Sequence, residues 1–311
     1  MGLEFSQQVA LIVPTLNAGK IWQAWLEAFS EQTLRPKHAM VIDSGSADVT
    51  IELATKYGFQ VHTIAKEHFD HGGTRQLAAD LLPEAELLIY MTQDAVLARP
   101  DALERLVQAF EDPGVGVAYG RQLPHPGAGP IGAHARLFNY PAHSEVRSQQ
   151  DIASKGLKAA FNSDSFACYR RRALEQVGGF PRDIIFGEDS YVAAKMLLSG
   201  WKVAYVAEAQ VYHSHDYSLR QEFERYFDIG VFHARERALL AAFGRAEGEG
   251  LRFLRSEMAY LLQNAPQKIP SALLRTVLKY GAYRLGRSEA YLPGWLKRHL
   301  AMNKKYFARR N

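Results

Sequence analysis

The adjacent acids Glu188 and Asp189 follow an apolar, glycine-broken segment and are the side chains best placed by type to move a proton. One carboxylate can take a proton while its neighbour orients it, the arrangement a hydroxyl nucleophile requires. Adjacent acids also open helices, where they face the positive end of the dipole. Asp94 comes three residues after the apolar run 87–91, a position at the rim of a sheet from which a carboxylate can bind a divalent metal that clamps a diphosphate. Capping or simple solvation would also account for it. His213 and His215 are two apart on an expected strand, so both imidazoles point to one face, a spacing that suits a metal ligand. Packing within the sheet is the competing explanation.

Two loops add polar groups. Asp43, in Asp43-Ser44-Gly45-Ser46, lies at a strand-to-helix turn, where its carboxylate can accept a hydrogen bond from a nucleobase imide or merely hold the turn. The segment His71-Gly72-Gly73-Thr74-Arg75 opens a helix, so its backbone N–H groups and Arg75 can hold an anion or a base edge.

These residues need elements to carry them. The apolar run 9–13 reads as a buried strand ending at Pro14, and Ile21, Trp25, Leu26 and Phe29 recur near a 3.6-residue period, which predicts a helix. Further strands are expected at 39–42, 59–64 and 87–91. The helices between them are expected from a Ser46-Ala47-Asp48 cap to about Tyr57 and from Gly72 to Leu82. Strands separated by such helices imply a parallel sheet wound on both faces, whose ligands collect at the carboxyl ends of the strands. Thr15, Asn17, Asp43, Gln93 and Asp94 should therefore converge on one rim. The Pro- and Gly-rich stretch 123–130 must be a loop, with order returning at Phe161. A helix is expected at 188–198, two short strands at 202–205 and 210–215, and helices beyond about Ser218, broken by a hydrophilic segment at 244–250.

Charge is unevenly placed. Residues 271–311 hold ten Lys and Arg against one acid, while residues 1–270 hold 27 against 32, so the net +4 belongs to the tail. The body of the chain has no reason to attract nucleic acid. The single cysteine, Cys168, excludes an intramolecular disulfide, and no apolar run approaches the roughly 18 residues that span a bilayer. Secretion is not expected. The tail interleaves Leu273, Leu274, Val277, Tyr280, Trp295 and Tyr306 with its cations, a pattern that suits an anionic membrane surface or a face laid over the rest of the protein.

Together, Val13-Pro14-Thr15-Leu16-Asn17, Asp43-Ser44-Gly45-Ser46, Arg75, Gln93-Asp94-Ala95, Gly178-Gly179-Phe180 and Gly187-Glu188-Asp189 occur in the order seen in glycosyltransferase family 2. The motifs 71–75, 92–95, 119–124, 138–141 and 213–218 resemble the bacterial rhamnosyltransferase branch of that family. The resemblance implies an inverting enzyme with the GT-A fold, a Rossmann-like α/β mixed sheet with helices on both faces, followed by a C-terminal helical segment. Its expected division is a catalytic domain at 1–243, with halves meeting near 98 and a helix at 218–243, and a basic helical tail at 244–311.

The donor implied is dTDP-L-rhamnose, with its base held by Thr15, Asn17, Asp43 and Arg75 and with Gln93 beside it. Asp94 would bind Mg²⁺ or Mn²⁺ with His213 or His215, and Asp189, with Glu188, would be the base. The acceptor would be a lipid-linked or cell-surface glycan met at the inner face of the bacterial cytoplasmic membrane. A sugar nucleotidyltransferase, a transferase of another UDP- or dTDP-sugar, and a membrane-docked glycan-binding protein are the competing readings. The family's usual Asp-x-Asp is here Thr92-Gln93-Asp94, with one acid, which puts more weight on the histidines.

Overall fold

The computed structural model describes residues 8–244 and 248–308. Nine strands are β1 (Val9–Thr15), β2 (His38–Asp43), β3 (Gln60–Thr63), β4 (Leu87–Met91), β5 (Val96–Leu97), β6 (Val115–Leu123), β7 (Glu145–Arg147), β8 (Phe166–Arg170) and β9 (Lys202–Tyr212). They form one sheet in the order β3-β2-β1-β4-β8-β6-β9-β5, with β7 also paired to β9.

Burial on both faces explains the continuous apolar run of β1. Val9, Leu11 and Val13 pack on Trp22, Trp25, Leu26 and Phe29 of the helix Ile21–Ser30. Ala10 and Ile12 face the other way, toward Ala78 and Ala79 of the helix His71–Leu81 and Val192 and Met196 of the helix Glu188–Leu198.

The expected parallel sheet holds for β1 to β4. Beyond β4 the sheet is mixed: β8 runs antiparallel to both β4 and β6, β6 and β9 are parallel, and β5 and β7 run against β9. Strand direction depends on where each connection re-enters the sheet, which residue periodicity does not encode. The two strands expected at 202–205 and 210–215 are one, β9, whose pairing with β6 is interrupted between Gly120 and Arg121. The irregularity absorbs the break in the apolar pattern. His213 and His215 therefore lie just past a strand end rather than within a strand. The helix expected from a Ser46 cap begins instead at Thr50, because Ser46 turns back to Asp43 while Asp48 accepts the Thr50 N–H at 3.1 Å. A helix Pro130–Asn139, started by its proline, occupies a stretch in which no element was expected.

The C-terminal helices pack closely on the rest. The helix Leu219–Arg235, opened by a Ser218–Gln221 capping box, crosses Ile269–Arg287 at two glycines. A Cβ at Gly286 would collide with the Phe227 carbonyl, and one at Gly230 with that of Tyr283. Ile184, Ile185 and Phe227 share a cluster with Ala282, Ala301, Tyr306 and Phe307, and the Asp228 carboxylate accepts the Asn303 N–H at 2.8 Å. One face of the tail therefore covers the body of the protein. Its outer face leaves Leu273, Leu274, Val277, Tyr280 and Trp295 exposed. The break expected at 244–250 falls partly on 245–247, outside the described residues, as do Arg309 and Arg310.

Gly286→Ala should destabilise the chain by about 1–3 kcal/mol through overpacking, read as a lower urea midpoint at unchanged slope. Gly281→Ala, on the same helix but facing open space, should be neutral or stabilising. Equal midpoints for the two variants would contradict the close crossing.

Candidate active site

At the ends of β1, β2 and β4 the polar residues hold one another. Asp43 is fully buried. It accepts hydrogen bonds from Thr15 Oγ1 (2.9 Å), Gly45 N (2.9 Å), Ser46 N (2.8 Å) and Ser46 Oγ (2.5 Å), so its carboxylate shapes the turn. Asn17 adopts φ 45°, and its side-chain oxygen accepts the Ala47 N–H at 2.8 Å. Gln93 clamps Leu16 with both ends of its amide, accepting from Leu16 N (2.8 Å) and donating to Leu16 O (3.2 Å). That clamp joins the ends of β1 and β4.

Asp94 faces two imidazoles. Its oxygens lie 3.5 Å from His213 Nε2 and 3.7 Å from His215 Nε2, and the three potential ligand atoms fall within 4.8 Å of one another. Burial opposes the charge on Asp94, but His213, through the hydrogen bond and charge it supplies when protonated, and His215, through its charge likewise, hold the carboxyl below its usual range. Burial also pushes the His213 imidazole down, and burial together with His213 pushes that of His215 down to about 4, so both are neutral.

Gln122 fixes the tautomer of His213. Arg136 donates to Gln122 Oε1 at 2.5 Å, which identifies that atom as an acceptor, and the same atom lies 2.8 Å from His213 Nδ1. His213 Nδ1 therefore carries the proton, and Nε2 presents a bare lone pair toward Asp94. This is how a histidine ligand is usually oriented from behind, so the donor set fits a divalent cation.

The second group of acids is buried around a single guanidinium. Gly187, at φ 74°, turns the chain into the helix Glu188–Leu198 and places both acids in its first turn. Arg75, 5% exposed, pairs with Asp164 (2.9 Å) and with Glu188 (2.5 Å). The resemblance implied Arg75 at the donor's base. In the structure it lies among carboxylates instead. Glu188 does not orient its neighbour either, because it points to Arg75, whose charge overrides burial and keeps the carboxyl low. Asp189 is oriented by backbone, accepting from Ser190 N (2.6 Å) and Asp164 N (3.3 Å). Burial, reinforced by the charges of Glu188 and Asp164, pushes Asp189 up to about 8.

Asp94, His213, His215 and Asp189 open onto one cavity of about 960 Å³. Its opposite wall is built from the C-terminal helices, through Arg225, Tyr226, Phe253 and Lys279 among others. Thr15, Asn17, Asp43, Gln93, Arg75 and Glu188 are not in its lining. Gln122 and Asp164 went unmarked in the sequence. Gln122 stands one residue after Arg121 in the motif 119–124, and nothing local distinguishes Asp164 from a loop acid.

A family model described as glycosyl transferase family 2 matches residues 10–178. The O-antigen chain rhamnosyltransferase RfbN of Salmonella typhimurium is 48% identical, over 96% of this chain and 96% of its own length. WbaN of Salmonella anatum, also an O-antigen chain rhamnosyltransferase, is 46% identical over 96% and 95%. Among solved structures, the mannosyltransferase PcManGT of Pyrobaculum calidifontis, in complex with GDP-Man and Mn²⁺, superposes with a TM-score of 0.58 at 20% identity, covering 97% of this chain and 85% of that one. TarS 1–349 of S. aureus gives 0.53 at 16% identity, covering 91% of each. The shared fold is GT-A: a mixed α/β sheet with helices on both faces, here followed by a helical C-terminal segment.

The resemblance implied Asp189 as the base, and a base acts only when deprotonated, so on that role kcat/KM should rise with pH along a limb well above the ordinary carboxylate range, near the value of about 8 to which burial and its neighbours push Asp189. Asp164→Asn removes one like charge and should move that limb to lower pH. Asp189→Asn should cost roughly 10²–10⁴-fold. A limb near pH 4, or one unmoved by Asp164→Asn, would contradict the assignment.

Proposed function

The chain belongs to glycosyltransferase family 2, and from that membership we propose that it transfers L-rhamnose from dTDP-L-rhamnose to a hydroxyl of a lipid-linked glycan in O-antigen assembly. The observation that carries this is the similarity, at 48% and 46% identity over nearly the full length, to two O-antigen chain rhamnosyltransferases. The cavity adds chemical support: Asp189 lines it while Glu188 is turned to Arg75, so one carboxylate is offered at that end. One base without a partner nucleophile suits a single displacement, with inversion.

In this reading Asp189 takes the proton of the acceptor hydroxyl, whose oxygen attacks the anomeric carbon from the face opposite the leaving nucleotide. Asp94, His213 and His215 hold a Mg²⁺ or Mn²⁺, which when bound neutralises charge on the donor diphosphate. Gln122 and Arg136 position His213 for that task. Thr15 and Asn17 lie on the rim that receives the nucleoside, and Asp43 and Gln93 act through the backbone they hold. Arg75 acts from beneath, by fixing Glu188 and Asp164 beside the base.

The same proposal places the protein at the inner face of the cytoplasmic membrane. Leu273, Val277, Tyr280 and Arg284 form an exposed stripe at helical spacing, with Trp295 exposed nearby in sequence. Exposed Arg298 and Lys304 add positive charge. An apolar stripe among cations fits the surface of an anionic bilayer, at about 1 kcal/mol per well-placed cation. No helix among the described residues is long and apolar enough to cross one.

Acceptor-dependent release of nucleoside diphosphate should be measured over dTDP-, UDP- and GDP-sugars, with and without EDTA. dTDP-rhamnose should be preferred and EDTA should slow release; preference for a UDP- or GDP-sugar would overturn the donor assignment. For the membrane, Val277→Glu with Trp295→Glu should reduce co-sedimentation with anionic vesicles while leaving turnover of a soluble acceptor intact. Truncation is unsuitable, because the same helices wall the cavity. Unchanged co-sedimentation would remove the membrane role.

A further inference from the structure

Arg225 is a cation of the cleft with no counterion among the described residues. It extends from the helix Leu219–Arg235 into the wall of the cavity and is half-buried there. The acids near it in sequence are committed elsewhere, Glu222 to Arg275 (2.8 Å) and Glu224 to Arg220 (2.8 Å). Among the described residues no carboxylate pairs with Arg225 and no group hydrogen-bonds to it. Two aromatic rings hold its guanidinium instead, Phe186 at 4.9 Å and Tyr217 at 5.8 Å, and Tyr217 stacks on His215 at 5.0 Å. This stack fixes the cation beside the Asp94–His213–His215 group. A half-desolvated guanidinium with open donors is suited to a ligand anion, and its planar fork matches phosphate oxygens.

The chemistry of the proposed reaction calls for such a group at this place. As the acceptor oxygen bonds to the anomeric carbon, the bond from that carbon to the β-phosphate oxygen breaks and its electron pair stays on the phosphate. The proton goes to Asp189. Negative charge thus grows on the diphosphate, beside a cation site with only one carboxylate. Imidazole nitrogens are poorer ligands for a hard cation such as Mg²⁺ than carboxylate oxygens. We propose that Arg225 binds the diphosphate of the donor and stabilises the charge that accumulates on the leaving nucleoside diphosphate. The inference rests on the glycosyltransferase reading and adds a catalytic residue to it.

The test is calorimetric binding of dTDP and dTMP to the full chain in EDTA, repeated with Mn²⁺. The wild type should prefer dTDP to dTMP even in EDTA. Arg225→Gln should lose roughly 10–100-fold in dTDP affinity, as expected for a charged hydrogen bond worth about 1.5–3 kcal/mol, and little for dTMP. Arg225→Lys should fall between, and millimolar guanidinium ion should restore part of the loss in Arg225→Gln. In turnover, kcat should fall with the acceptor KM unchanged. Equal dTDP affinity in wild type and Arg225→Gln at matched melting temperature, or a change confined to the acceptor KM, would overturn the role. Arg225→Lys keeps the charge and the test open if the Gln variant melts early. A wild type that binds neither nucleotide, with or without Mn²⁺, would sink the donor reading itself, a result distinct from binding that Arg225 does not influence.

Discussion

Arg75 is buried with three carboxylates around it, and most of the site's electrostatics descend from that imbalance. Burial works against its charge, but Asp164, Glu188 and Asp189 more than compensate and keep it protonated. One cation cannot satisfy three acids. Glu188 and Asp164 both touch it, yet the Glu188 carboxyl is held low while Asp164 is raised to about 6 and Asp189 further, burial being the first cause of both rises. Tyr169 donates to Asp164 at 2.5 Å, and Tyr90 donates to the Arg75 carbonyl at 2.9 Å, so the group cannot relax by moving apart. Taking one partner from a buried ion pair typically costs about 3–5 kcal/mol, because the other charge is left in a poor solvent. The cost of burying the extra negative charge is what raises Asp189, the base of the proposed reaction.

The opposite side of the cleft relies on an ordered chain of hydrogen bonds. Arg136, Gln122 and His213 form a relay in which each hydrogen bond fixes the next, and the outcome is a bare Nε2 facing Asp94. Arg136 comes from the helix Pro130–Asn139, Gln122 from β6 and His213 from just past β9. Three elements distant in sequence therefore determine one tautomer. The interruption in β6–β9 pairing lies close to Gln122, where a local change of register adjusts which residues meet.

The helical tail is part of the site as well as a covering for it. Two glycines bring its longest helix against Leu219–Arg235 almost backbone to backbone, which leaves the polar and aromatic side chains to line the cavity. Packing of this kind ties one wall of the cleft to the same helices whose outer face carries the exposed apolar stripe. The proposed surface docking and substrate binding would thus share one set of packed helices.

Much of this was legible in one dimension. Alternating strands and helices through residue 91 marked the parallel half of the sheet, because burial on both faces imposes continuous apolar runs and a 3.6-residue stripe. The types at Asp94, His213, His215 and Asp189 marked the chemistry, and these four do line one cavity. What the order of residues did not contain was which partner each polar group would meet. Glu188 beside Asp189 reads as a pair, yet the helix turn sends it to Arg75, 113 residues earlier. Asp43 and Gln93 read as ligand contacts, yet their hydrogen bonds are taken by turns and strand ends. Strand direction beyond β4, the acceptor Gln122 behind His213 and the pull of Asp164 on Asp189 all arise from contacts between distant segments. Local composition constrains burial and propensity. Charge regulation and tautomer are set by distances of a few ångströms, and only the folded chain determines those.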